Sequence, residues 1–210
     1  DILKLIKDLQ MSIKAIGFDF GGVLALHKSV MPEISATIQI PLEEIRKSYF
    51  QKNRLANVGD MSYEDLWLMI LKEFSKEEYF NEVKRLLEIN ATVDLNRPVI
   101  ELAERLLENG YKIGLFSNNT SANGNLMRDE GLDKLFEVFL ISAEVGHQKP
   151  EAEAYQLLAD KLEVSLNELV FIDDSPTSLV DAEEVGYTPI LFESYEQLVA
   201  DLRKLNIKGV

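Results

Sequence analysis

The chain has 210 residues and a mass of 23.8 kDa, with 46% hydrophobic, 9% aromatic and 28% charged residues. That balance belongs to a folded domain with an ordinary core and excludes disordered, collagen-like and low-complexity classes. Its 22 Lys and Arg against 36 Asp and Glu leave a net charge of −14, which disfavours nucleic acid as a partner, and the absence of cysteine excludes disulfides, thiolate catalysis and Cys-type zinc sites.

In residues 1–10, Ile2, Leu5, Ile6 and Leu9 have helical spacing ahead of Met11, so this segment reads as a short amphipathic helix or a leader. It lacks the basic-then-apolar order of a signal peptide, and no later stretch reaches the ~18 consecutive apolar residues of a membrane span. We therefore expect a cytoplasmic protein with no membrane partner.

Ile13 to Phe18 is the first strand candidate. The segment from about Ser29 to Leu95 then reads as helical throughout. Pro41 opens a helix from Leu42 to Lys52, Ser62 and Asp65 cap one through Phe74, and Ser75 and Glu78 cap another through Ile89. Pro98 sits in the first turn of the next helix, whose apolar face is Val99, Leu102, Ala103, Leu106 and Leu107 and whose stop is Asn109-Gly110. Further strands are expected at Tyr111 to Phe116, Val138 to Ile141, Leu169 to Ile172 and Tyr187 to Phe192. Between them, Pro150 opens the helix carrying Tyr155, Pro176 opens one ending at Gly186, and Ser194 with Gln197 boxes the last.

Strands alternating with helices make an α/β fold, a doubly wound, Rossmann-like, five-stranded parallel sheet. About 90 residues separate the first two strands, far more than a crossover helix requires. Residues 29–95 are thus expected to be a helical subdomain inserted after the first strand, with 11–28 and 96–210 forming the core.

Chemistry-bearing residues gather where the strands end. The first strand runs into Asp19, Gly21 and Gly22; the second into Ser117, Asn118 and Asn119; the third leads on to Lys149-Pro150; and the fourth ends in Asp173-Asp174-Ser175. Ligands bind at that edge of an open α/β sheet. A carboxylate nucleophile, a hydroxyl, an ammonium and further carboxylates for a hard divalent ion are what a single phosphate group needs.

The order and spacing of these motifs, from about Ile13 to Leu202, resemble the haloacid dehalogenase superfamily of hydrolases. The Phe-Asp-Phe-Gly-Gly-Val-Leu, Lys-Pro-Glu-Ala and Phe-Ile-Asp-Asp-Ser runs are most similar to sugar-phosphate phosphatases and to the N-terminal domain of bifunctional epoxide hydrolases. The resemblance implies that Asp19 is a nucleophile forming an aspartyl-phosphate and that Ser117, Asn118 and Lys149 bind the phosphoryl group. It also implies that Asp19, the Gly21 carbonyl, Asp173 and Asp174 hold Mg²⁺, and that the helical insertion is a cap over the site. The expected activity is Mg²⁺-dependent hydrolysis of a small phosphorylated metabolite such as a sugar phosphate, by a monomer or homodimer.

One position departs from the pattern. Gly21 stands where phosphatases of the family usually carry a second Asp as general acid and base, and general acid catalysis supplies about 10²- to 10⁴-fold. Two alternatives follow: a non-catalytic or weakly active protein binding a phosphorylated ligand or a partner, and a metal-independent dehalogenase, against which the pair Asp173-Asp174 argues. His27 and His147 are surface residues unless one replaces the missing donor. Arg54 is a solvated cation or a contact for an anionic substrate, Ser178 a capping residue or a support for the acid pair, and Trp67, Met69 and Ile70 are core residues of the insertion.

Overall fold

In a computed structural model, which describes residues 12–26, 29–89 and 94–210, the chain runs β1 (Ala15–Phe18), α1 (Met31–Ile38), α2 (Leu42–Asn57), α3 (Tyr63–Glu73), α4 (Phe80–Ile89), α5 (Arg97–Glu108), β2 (Lys112–Ser117), α6 (Ser121–Asp129), α7 (Leu132–Leu135), β3 (Val138–Ile141), α8 (Ser142–Val145), α9 (Ala152–Lys161), β4 (Leu169–Asp173), α10 (Ala182–Val185), β5 (Thr188–Leu191) and α11 (Tyr195–Lys204). The helix or leader expected in residues 1–10, and His27, lie outside the described residues. No helix among the described residues is long and apolar enough to cross a membrane.

The five strands form one parallel sheet in the order β3-β2-β1-β4-β5. Helices cover both faces, which is why the strands read as unbroken apolar runs. Ile16 and Phe18 of β1, with Ile113, Leu115, Val170 and Ile172, join the cluster that holds Val99 and Leu102 of α5 and Leu198 of α11. Ala15, Phe116, Leu169 and Phe171 join Ala154, Tyr155 and Leu158 of α9 in a second cluster. Strand order reverses between β1 and β4, and such a switch point opens a crevice at the carboxyl edge.

The helices of the insertion have a core of their own, built from Ile34, Ile38, Ile45, Leu66, Trp67, Ile70, Leu71 and Val83. Trp67 and Ile70 take the core positions expected of them, whereas Met69 is only half-buried. The chain leaves and re-enters the core side by side: Leu26 N–H donates to Asp94 O at 2.8 Å and Asn96 N–H to Leu24 O at 2.8 Å. The Asn96 side chain adds a bond to Val23 O at 2.9 Å.

Several local expectations need correction. Ser75 does not cap a helix; it has a φ of 53°, and a short 3₁₀ turn, Glu77–Tyr79, precedes α4. Pro150 does not open α9, since its bond to Lys149 is cis and Glu151 is the N-cap. The helix expected from Pro176 to Gly186 is broken into a 3₁₀ turn, Pro176–Ser178, and α10. The helix that follows Pro41 extends beyond Lys52 to Asn57, and Leu107 is 38% exposed. The capping boxes were better guides: Ser62 accepts from Asp65 N–H, and Ser194 and Gln197 cap each other's backbone.

Gly17 shows how the sheet accommodates the site. A Cβ there would lie 2.6 Å from Phe171 Cδ2 and 2.8 Å from Leu158 Cδ2, so the space beside β1 belongs to the Phe171 ring on the neighbouring strand. A glycine inside a strand commonly marks such close approach. Gly17→Ala should lower the free energy of unfolding by about 1–3 kcal/mol, read as a shift in the urea midpoint at unchanged slope.

Candidate active site

Asp19 is the first residue past β1, and its N–H still pairs with Ile172 O at 2.8 Å, which keeps it level with Asp173 at the end of β4. The chain then turns tightly, with Leu24 and Ala25 N–H both donating to Phe20 O and Gly22 N–H to Ala25 O. Gly22 has a φ of 80°, and a side chain there would collide with the Asp174 carboxylate. The second glycine of the pair is therefore the one that conformation and space both require.

At the floor lies a buried ammonium. Lys149 Nζ is 2.6 Å from Asp19 Oδ1 and 2.6 Å from Asp173 Oδ2, and the three residues are 4%, 8% and 1% exposed. The Lys149 Nζ also stands 4.9 Å from the centroid of the Phe171 ring, a cation–π contact. Asp173 Oδ1 accepts from Ser175 N–H at 2.9 Å, so the second carboxylate is held on both oxygens. Burial pushes the Asp19 carboxyl up to about 6; Lys149 pulls against that shift and Asp173 adds to it. For Lys149, burial acts to lower the pKa, but Asp19 and Asp173 outweigh it and the net direction is up.

Lys149 is aimed from below by Asn118. The Asn118 amide donates from Nδ2 to Lys149 O at 2.8 Å and accepts Lys149 N–H on Oδ1 at 2.8 Å, so one side chain pairs with both backbone groups of the lysine. Ser117, the last residue of β2, is 2% exposed beside it. Asp174 is exposed, and carboxylate oxygens of Asp19, Asp173 and Asp174 lie within 4.8 Å of one another.

All seven residues singled out from the sequence, Asp19, Gly21, Ser117, Asn118, Lys149, Asp173 and Asp174, line one cavity of about 650 Å³. Its opposite wall comes from the insertion and includes Tyr49, Phe50, Asn53, Tyr63 and Trp67, which sequence reading did not place there. The signal was present as i, i+4 spacing, Tyr49 to Asn53 on α2 and Tyr63 to Trp67 on α3, but spacing alone does not say which way a face looks. Arg54 is not aimed at a substrate; its guanidinium bonds Glu151 Oε1 at 3.1 and 2.8 Å, joining insertion to core. His147 also faces Glu151, at 3.7 Å. The Ser178 backbone carbonyl, not its hydroxyl, is engaged, accepting from the Tyr155 hydroxyl.

Residues 13–186 match the model of the haloacid dehalogenase-like hydrolases. The chain belongs to that family. A mouse protein, bifunctional epoxide hydrolase 2, is 25% identical over 93% of the chain, and the chain spans only 39% of its length. Phosphatase MT3486 of Mycobacterium tuberculosis (strain CDC 1551 / Oshkosh) is 29% identical over 93% of this chain and 96% of its own. Among solved structures, a dehalogenase superposes with a TM-score of 0.69 at 17% identity, covering 91% of this chain and 97% of its own. Both haloacid dehalogenase-like phosphatases and dehalogenases thus share the fold, and the hydrolase class is common to the family.

The bidentate grip of Asn118 has a measurable consequence. Asn118→Ala removes two hydrogen bonds and strands two backbone groups next to a buried charge, so unfolding free energy should fall by about 1–3 kcal/mol. Thermal and urea unfolding of the metal-free variant would measure it.

Proposed function

We propose that the chain is a Mg²⁺-dependent phosphomonoesterase acting on a small phosphorylated metabolite, with Asp19 as the nucleophile and the insertion of residues 29–95 as its cap. The observation that carries the reading is the buried Lys149 ammonium held between Asp19 and Asp173 on the cavity floor, with Asp174 beside them. Carboxylate oxygens of Asp19, Asp173 and Asp174 gathered within 4.8 Å of one another suit a hard divalent cation with oxygen ligands. Asp19, Asp173, Asp174 and the Gly21 carbonyl would hold the ion, which neutralises phosphoryl oxygens when bound. The exposed Asp174 supports this reading over metal-independent dehalogenation, which needs no third carboxylate. The relationship to a phosphatase along nearly the full length of both chains points the same way.

The residues then divide the work. An Asp19 carboxylate oxygen attacks phosphorus, the Asp19 O–P bond forms as the P–O bond to the alcohol breaks, and the departing oxygen takes a proton from solvent water. Water next attacks the aspartyl-phosphate, releasing inorganic phosphate and restoring the carboxylate. The Lys149 ammonium and the Ser117 hydroxyl hold phosphoryl oxygens, and Asn118 fixes where Lys149 points.

Phosphate release from a panel of phosphomonoesters with Mg²⁺ should be abolished in Asp19→Asn, whose amide has nearly the same shape but is no nucleophile. Turnover surviving in that variant overturns the proposal. In calorimetric titrations of metal-free protein, Asp173→Asn and Asp174→Asn should each weaken Mg²⁺ binding, and unchanged binding in both would remove the ion from the site.

Gly21→Asp restores a carboxyl two residues beyond the nucleophile, and the positive φ in this turn falls on Gly22 instead. Hydrolysis of alkyl phosphates, whose leaving alcohols need protonation, should rise by about 10²-fold, the low end of what a positioned acid supplies. Aryl phosphates should gain less. Equal gains, or none in a folded variant that still binds Mg²⁺, would show that a missing acid does not limit the rate.

A further inference from the structure

The cavity has two unlike halves. Its floor is ionic, but the wall supplied by α2 and α3 is a connected run of rings. Phe50 meets Tyr49 edge-on at 5.5 Å between centroids, Tyr49 lies against Trp67 at 5.8 Å and 34°, and Tyr63 meets Trp67 edge-on at 6.4 Å. The four rings all line the cavity. Phe50 is 67% exposed, an aromatic ring left in water at the edge of the cavity, whereas Tyr49 and Tyr63 are half-buried and Trp67 is 1% exposed. Faces and edges arranged in this way offer a planar guest both stacked and edge-on contacts.

From this wall we propose that the organic half of the substrate carries a planar aromatic group, joined to its phosphate through an alcohol carbon. The proposal rests on the phosphomonoesterase reading above and narrows it. A ring held in the insertion's wall places a phosphate on the floor, because floor and wall bound one cavity of about 650 Å³, within the ordinary range for small-ligand sites. A sugar would cover these four rings less completely than a flat ring, although Asn53 and Asn57 also line the cavity. The substrate class therefore departs from the sugar phosphates that motif similarity implies.

Trp67 makes the idea directly readable, because it is the single tryptophan of the chain. With Mg²⁺ present, the full chain is titrated with methylphosphonate and with benzylphosphonate, neither of which can lose its phosphorus group by this reaction. Benzylphosphonate should bind about 10-fold or more tightly, from burial of one ring, and should change Trp67 emission. In Phe50→Ala, chosen because Phe50 is exposed and its loss leaves the insertion core intact, that advantage should shrink; Tyr63→Leu should shrink it independently. Phosphate release should favour benzyl phosphate over glucose 6-phosphate by a similar factor, both being esters of primary alcohols. Equal affinity for the two phosphonates, a silent Trp67, or equal turnover of the two esters overturns the aromatic class while leaving the phosphomonoesterase reading in place. Failure of both phosphonates to bind would overturn the two together.

Discussion

The ammonium of Lys149, buried between two carboxylates from separate strands, is the constraint around which the rest is arranged. Taking any of these charges out of water alone costs several kcal/mol, and their attraction offsets that only with close geometry on all sides. The 2.6 Å contacts to Asp19 and Asp173 supply the geometry, and they bind together the end of β1, the end of β4 and the loop leading to α9. Removing the lysine would leave two acids facing each other; removing the acids would leave a buried cation without a counter-charge. Asn118 fixes the backbone of the lysine, Phe171 lies beside its ammonium, and Gly17 is a glycine because Phe171 needs its space.

The two halves of the cavity come from different parts of the chain with different physics. The floor is drawn from strand ends, where a parallel sheet delivers side chains from distant sequence positions to one edge. The wall is drawn from two helices whose own cluster, centred on Trp67, Ile70 and Leu66, is separate from those of the sheet. Trp67 belongs to both cluster and wall, so the surface that meets a ligand is backed directly by the insertion's core.

The fold was legible in the sequence because its signals are local. Val138 to Ile141 is an unbroken apolar run with the same limits in the structure, and Ser194 with Gln197 caps a helix as its spacing requires. The site residues were legible for a different reason: strand ends at one edge converge whatever lies between them. What stayed hidden depends on partners far along the chain. Nothing around Arg54 in the sequence points to Glu151, and nothing around Asn118 says that its amide will grip the backbone of Lys149. The expected cap at Ser75 failed because Ser-x-x-Glu is satisfied by composition alone, whereas the backbone there turns left-handed.

The seam between insertion and core is of a different strength from either body. Its described polar links include the Arg54–Glu151 ion pair, with side chains 56% and 25% exposed, and the bond from Asn57 Nδ2 to Gln148 Oε1 at 3.2 Å. Ion pairs this open to water contribute about 0–1 kcal/mol and weaken as salt screens them. Because the helical unit carries its own core, parting the two bodies along this seam would leave both hydrophobic interiors covered. Salt therefore acts on this seam before it acts on either interior.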